Sequence, residues 1–310
     1  MIHLRLIVAD GLTAEVLDHL RARPGVAHVL HLPAVSVKPR GDLVMCDVAR
    51  EAANDLIEWL QRKGVHHSGA ISVDSSVTVV SDSAAQADAD APGQAGDALI
   101  WEQMESQART DAAPTASFFV LMAIAAVIAS VGILLDSPIL IVGAMVVGPE
   151  YGPIAASCVS AARRRWRPAG RAAATLSTGL LAAALASLLA TVGFRATGLA
   201  LESYDLSDRE LTAFISHPDG MAAIVALLAG VVGMLSLTQA RSGALVGVLV
   251  SVTTIPAVAN VGVAAAYSEW TEVGGALLQL GLNVAALGTA GIATLAVQHG
   301  ATAGLRTSRA

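Results

Sequence analysis

The chain has 310 residues, 54% of them hydrophobic and 14% charged, with a formal net charge of −6. Soluble domains carry about 25% charged residues; here most of the charge lies in residues 1–117, so a soluble front and a membrane-embedded back are expected. The acidic balance and the lack of a dense Lys/Arg run in the front half argue against nucleic-acid binding, and two cysteines in different halves, Cys46 and Cys158, argue against a disulfide framework or metal knuckle.

Residues 2–9 (IHLRLIVA) alternate as a strand does. Asp10 is placed to cap a helix from about Leu12 to Arg23, with Leu17 and Leu20 inward and Pro24-Gly25 as its stop. Ala27–Val37 and Leu43–Val48 read as two strands around the polar turn Lys38–Asp42. A second helix, Glu51–Lys63, presents Leu56, Ile57 and Leu60, and Gly69–Val80 supplies a last strand. The order βαββαβ predicts an N-terminal α+β ferredoxin-like domain over residues 1–80. The histidines His3, His28, His31, His66 and His67 show no metal-ligand spacing, and alternation would put His66 and His67 on opposite faces, so neither metal nor cofactor is expected. Residues 81–98 (SDSAAQADADAPGQAGDA) lack apolar periodicity and read as a mobile linker. Residues 99–117 open with a short amphipathic helix whose Trp101 and Met104 are available either to a membrane interface or partner, or to the soluble domain itself.

A spanning helix needs about 20 mostly apolar residues. Six runs qualify or nearly so: Phe118–Leu135, Ser137–Ala162, Ala172–Phe194, Met221–Ala240, Ser242–Ala266 and Val273–Val297. They predict an all-α membrane domain over 118–297 and a tail over 298–310. Basic residues flanking spans mark the cytoplasmic side. Arg163, Arg164, Arg165, Arg167 and Arg171 follow the second run, Arg241 follows the fourth, and Arg306 and Arg309 lie in the tail, whereas LESYDLSDRE and YSEWTE are mainly acidic. Both termini are therefore expected in the cytoplasm of a multi-pass inner (plasma) membrane protein. No signal-peptide pattern opens MIHLRLIVADG.

The second and fifth runs echo each other. SPILIVGAMVVGPEYGPI breaks at Gly148–Pro153, and SGALVGVLVSVTTIPAVANVG breaks at Thr-Thr-Ile-Pro. Each is the second of three runs, and three being odd, the two groups enter the membrane from opposite sides. The expected architecture is a 3+3 inverted repeat with broken second and fifth helices meeting near the midplane.

Several of these stretches resemble the family catalogued as domain of unknown function 389: Gly132-Ile-Leu-Leu-Asp136-Ser137, Ile141-Val-Gly143-Ala144-Met145, Pro149 and Gly152-Pro153-Ile154, then Ala244-Leu-Val-Gly247 to Pro256 and Val261-Gly262. The resemblance covers roughly residues 99–297 and implies a multi-span bacterial or archaeal membrane protein, without a particular activity. The chain departs from that pattern where the family reads Ser-Pro-Leu-Met-Gly-Pro, having Gly148-Pro149-Glu150-Tyr151-Gly152-Pro153, and it keeps one proline, Pro256, where paired prolines are usual.

Glu150 is the main candidate for chemistry. A carboxylate at bilayer depth costs about 3 kcal/mol on insertion scales and usually faces protein or water. It is placed to bind a cation or carry a proton, or else to cap a half-helix starting at Pro153. Thr253, Thr254 and Asn260 supply oxygens from the fifth run, with Gly148 and Gly152 giving backbone access and Pro149, Pro153 and Pro256 making the breaks. The leading expectation is a transporter or channel for a small solute or ion, embedded in the lipid bilayer and regulated or dimerised through its soluble domain as a homo-oligomer. The alternative is a membrane-anchored sensor or scaffold whose soluble domain binds a ligand or partner. No paired acid/base or nucleophile motif suggests an enzyme.

Overall fold

The computed structural model describes residues 1–74, 79–91, 101–200, 215, 220–238 and 254–307. The chain divides into two units, residues 1–103 with 298–310, and residues 104–297.

In the first unit, β1 (Ile2–Val8), α1 (Thr13–Ala22), β2 (Val26–Val37), β3 (Arg40–Val48), α2 (Arg50–Arg62), α3 (Val65–Ser68) and β4 (Ala70–Asp74) follow the expected order, with α3 inserted before the last strand. The sheet runs β2-β3-β1-β4 and is antiparallel throughout, with Leu4 opposite Cys46 and Val73. Alternation buries Ile2, Leu4, Leu6 and Val8 beside Val44, Cys46 and Val48. Onto this face α1 lays Val16, Leu17 and Leu20, and α2 lays Leu56, Ile57 and Leu60. Burial and the neighbouring Asp47 carboxylate push the Cys46 thiol up to about 12, so it packs as an inert apolar group.

Three expectations are corrected. Asp10 does not cap α1; the position before the helix is Leu12, whose N–H donates to the Ala9 carbonyl, closing the entry as a backbone turn. His66 and His67 do not alternate across a strand but follow each other in α3, their ring centroids 3.8 Å apart. Within 81–98, residues Asp82–Asp90 form α4 rather than a mobile linker. The Ser81 hydroxyl accepts from the Ala84 N–H, and Ala84 and Ala87 are buried. Alanine methyls bury well yet leave no hydrophobic stripe to read, and His28 of β2 fixes the segment by its Nε2, 3.0 and 2.8 Å from the hydroxyls of Ser81 and Ser83. Of the two readings left open for the helix after residue 99, Trp101 takes the one on the soluble domain: in α5 (Trp101–Asp111), Trp101 and Met104 are buried, and the Trp101 N–H donates to the side-chain oxygen of Asn54.

A bulge in β2 puts His28 at φ +49 and brings its Nδ1 within 2.7 Å of Asp47, which also accepts from His3 Nδ1 at 2.9 Å. Burial pushes the Asp47 carboxyl up, but the hydrogen bonds from the two imidazoles outweigh it and hold it below the usual carboxylate range. A carboxyl depressed in the folded state stabilises at neutral pH and loses that contribution as pH falls through its folded value. Asp47→Asn is therefore expected to cost about 1 kcal/mol at neutral pH and to flatten the loss of stability below about pH 4. Hydrogen exchange of β1 and β3 against pH checks both. Among the described residues no His/Cys/Asp/Glu group suited to a metal ion forms.

The second unit is helical: α6 (Ala116–Leu134), α7 (Pro138–Val147), α8 (Tyr151–Ala162), α9 (Trp166–Ala196), α10 (Gly220–Thr238), α11 (Thr254–Ala266) and α12 (Trp270–Thr307), the last continuing beyond residue 297. Among the described residues α6, α9, α10 and α12 are long and apolar enough to cross a membrane, and α7 with α8, bent by 53°, can make a fifth crossing. The fifth expected run is described only as the 13-residue α11; residues 242–253, the acidic stretch LESYDLSDRE and Arg241 lie outside the described residues. Asp136 (φ +45) turns the chain between α6 and α7, with Pro138 at the helix start. Arg167 and Arg171, read as part of a connection, lie in the opening turns of α9.

Small residues set the crossings. Gly179 of α9 meets the Phe118 ring of α6, and Gly262 of α11 lies on Ser187 and Ala184 of α9. The Ser187 hydroxyl donates to the Ala259 carbonyl at 2.6 Å and lies 2.7 Å from that of Ser130 on α6, so one polar line joins three helices.

Candidate functional site

Proline makes the break in the second span. The residue before a proline is disfavoured in the α region, and Gly148, at φ −67 and ψ 130, is extended. The chain re-enters a helix at Tyr151, two residues earlier than the Pro153 start expected. Pro153 instead occupies the first turn, where its missing N–H breaks no intrahelical bond.

Glu150 stands at the head of α8, 2% exposed, and makes no side-chain capping bond there. The capping role is thus not the one it takes. Its Oε1 accepts from the Thr254 hydroxyl of α11 at 2.9 Å. Its Oε2 has no hydrogen-bond partner among the described residues. Gly148 makes room for that oxygen: a Cβ there would overlap Oε2 and lie 2.7 Å from the Ile255 side chain. Gly152 serves a different contact, the close approach of the Asp111 carbonyl at the end of α5.

The structure thus joins Glu150, Gly148 and Thr254. Asn260 is buried on α11 but six residues beyond Thr254, about 9 Å along the helix axis and on another face. Pro256 is buried in α11, and Thr253 lies outside the described residues, so the expected break there is not described. Gln279 and Asn283 of α12 are buried one turn apart, the Gln279 amide within 3.4 Å of the Asn283 oxygen.

Two groups escaped sequence reasoning. Tyr151 presses its phenol towards Gly233 of α10, where a Cβ would lie 2.5 Å from the hydroxyl, and that hydroxyl has no hydrogen-bond partner among the described residues. Glu272, read as part of an acidic loop, is buried at 5% exposure in the first turn of α12, where a carboxylate complements the helix dipole. Proline-bounded breaks are visible in a sequence; the partner a buried side chain finds across the fold is not.

What this arrangement can do follows from charge and hydrogen bonding. A buried carboxylate with one oxygen satisfied and one open can take a cation or a proton, and either relieves the cost of holding the charge away from water. Residues 145–289 match the family described as Domain of unknown function (DUF389). Neither the curated proteins nor the solved structures contain a significant match.

Proposed function

We propose, taking residues 145–289 as a DUF389 domain, that the chain is a transporter or channel in the plasma membrane that passes a small solute or ion, with Glu150 as its cation- or proton-binding group. The observation that carries this reading is the Glu150 carboxylate itself, buried at the break between α7 and α8, bonded to Thr254 and open at Oε2. An anchor would gain nothing from a membrane-length helix pair interrupted around a buried charge.

The inverted repeat is part of the proposal, and helix boundaries support it. A shift of 103 residues carries Pro153 onto Pro256. The same shift carries α6 to 219–237 against α10 at 220–238, α8 to 254–265 against α11 at 254–266, and the start of α9 to 269 against α12 at 270. Contacts follow the same rule. The later half of each paired span reaches the opposite group of three: α11 lies on α6, α7 and α9, while α8, besides packing on α9, meets α10 through Tyr151 and Gly233, and α12 through Cys158, 3.6 Å from the Gly288 carbonyl. Shifted by 103, the contact of Ala184 and Ser187 with Gly262 lands within one helical turn of the contact between Cys158 and Gly291. Two interlocked groups of opposite orientation, with a charged site in the seam, are the arrangement that alternating access uses.

In this reading six spans cross the bilayer with both termini in the cytoplasm, and the soluble unit, whose strand order fits a ferredoxin-like domain, regulates flux or pairs two copies. The test is flux into liposomes holding purified protein, across a panel of inorganic cations and small solutes, with and without a pH gradient. Glu150→Gln keeps the Thr254 bond and removes the charge; it is expected to reduce flux at least about tenfold, the effect of losing roughly 1.4 kcal/mol at the site. Flux equal to the wild type would overturn the role of Glu150.

A further inference from the structure

A cleft of about 650 Å³ opens where α5, the 112–114 segment, the end of α8 and the start of α9 converge. Its walls are apolar and small (Ala108, Ala156, Val159, Pro168, Ala172), and Arg109, Arg165 and Arg171 stand around it. Three guanidinium groups pair with one carboxylate here: Glu105 meets Arg163 at 3.0 Å, Arg165 at 2.6 Å and Arg109 at 3.5 Å. Arg171 makes no ion pair among the described residues. The lining sets three arginines, Arg109, Arg165 and Arg171, against the one carboxylate of Glu105, so the cleft keeps an excess of positive charge beside an uncharged wall.

Its level in the bilayer narrows the ligand. Arg165 and Arg171 fall between the end of α8 and the first turns of α9, with Arg109 beside them on α5, and the apolar part of α9 begins at Ala172. Trp166, 70% exposed at the start of α9, is the kind of residue that settles among lipid headgroups. Basic pockets between spans on this face suit anionic headgroups, and arginine pairs with phosphate through two parallel hydrogen bonds. The volume is that of an ordinary small-molecule site.

We propose that this cleft binds an anionic phospholipid, its phosphodiester held by Arg171 with Arg165 and Arg109 and its glycerol and upper acyl carbons against the alanine wall. The proposal rests on the membrane reading of this unit but not on transport, since Glu150→Gln leaves the cleft intact.

Native mass spectrometry of the full chain in detergent tests it, with phosphatidylglycerol, phosphatidylcholine and inorganic phosphate added separately at matched concentrations. Phosphatidylglycerol is expected to give retained adducts and the other two none. Arg171→Gln, at an exposed residue without an ion pair, is expected to weaken retention about fivefold, the effect of about 1 kcal/mol per basic residue. Ala174→Leu, which narrows the cleft without touching an arginine, is expected to weaken it too, provided both variants remain monodisperse. Equal retention of phosphatidylcholine, or phosphatidylglycerol retention unchanged in both variants, overturns the site. Displacement of phosphatidylglycerol by inorganic phosphate at the same concentration assigns the arginines to a free anion and overturns the lipid.

Discussion

Gly262→Ala is expected to lower the melting temperature of the purified full-length protein by about 6–12 °C. In an open helical position the change would stabilise by about 0.5–1 kcal/mol, because alanine loses less conformational freedom on folding. At Gly262 the added methyl would lie 2.6 Å from the Ala184 carbonyl oxygen and 2.6 Å from the Leu188 amide nitrogen, with the Ser187 hydroxyl at 2.5 Å. Two of these neighbours are backbone, so no rotamer change can clear them and α9 and α11 must move apart. The separation also pulls the Ser187 hydroxyl from the Ala259 carbonyl. Overpacking of this kind costs about 3 kcal/mol, which for a unit this size converts to that shift in melting temperature. Gly281→Ala is the control: nothing lies within 4 Å of its Cβ position on α12, and its melting temperature should stay level or rise. Equal melting of both variants with the wild type would remove the close crossing of α9 and α11.

The second large effect belongs to the soluble unit. Gly69 links α3 to β4, and a Cβ there would overlap the Ile7 carbonyl oxygen of β1, with the Val65 carbonyl 3.2 Å away. Its own N–H donates to that Val65 carbonyl at 2.8 Å, which fixes the backbone in place. Gly69→Ala must therefore either displace the start of β4 or break the pairing of Ile7 with Ala70. A cost of about 3 kcal/mol or more is a large share of the total for a small domain. Hydrogen exchange on the full chain should show lost protection in β1 and β4, with α6 and α9 unchanged. Gly11→Ala, whose Cβ position is open, should exchange as the wild type does. Retained protection in the Gly69 variant would contradict the packing described.

Period and punctuation made the soluble order and the broken second span readable in advance. Alternating residues such as Leu4 and Leu6, and a proline that forces Gly148 out of the helix, act locally and leave a mark in the sequence. The site was half readable for the same reason. Glu150 announces itself as a carboxylate in an apolar run, but nothing in the chain selects Thr254 over Asn260 as its partner; that choice is made by where α11 lies, 104 residues on. The misreadings share a cause. α4 buries alanines, whose small methyls give no amphipathic stripe, and the choice between the two readings of Trp101 rests on a tertiary contact with Asn54 that local pattern cannot show. Glycines at crossings are similarly ambiguous: Gly262 and Gly281 look alike in sequence, and only the neighbouring backbone distinguishes them.

The interlocking of α8 and α11 also constrains how the protein is made. Chain synthesis runs from the N-terminus, so α6 to α9 are complete while Gly233, Thr254 and Gly288 have yet to be translated. During that interval Glu150 has no Thr254, and the Tyr151 and Cys158 surface has neither α10 nor α12 to face. The contacts of Glu150, Tyr151 and Cys158 can close only after Gly288 of α12 has been made.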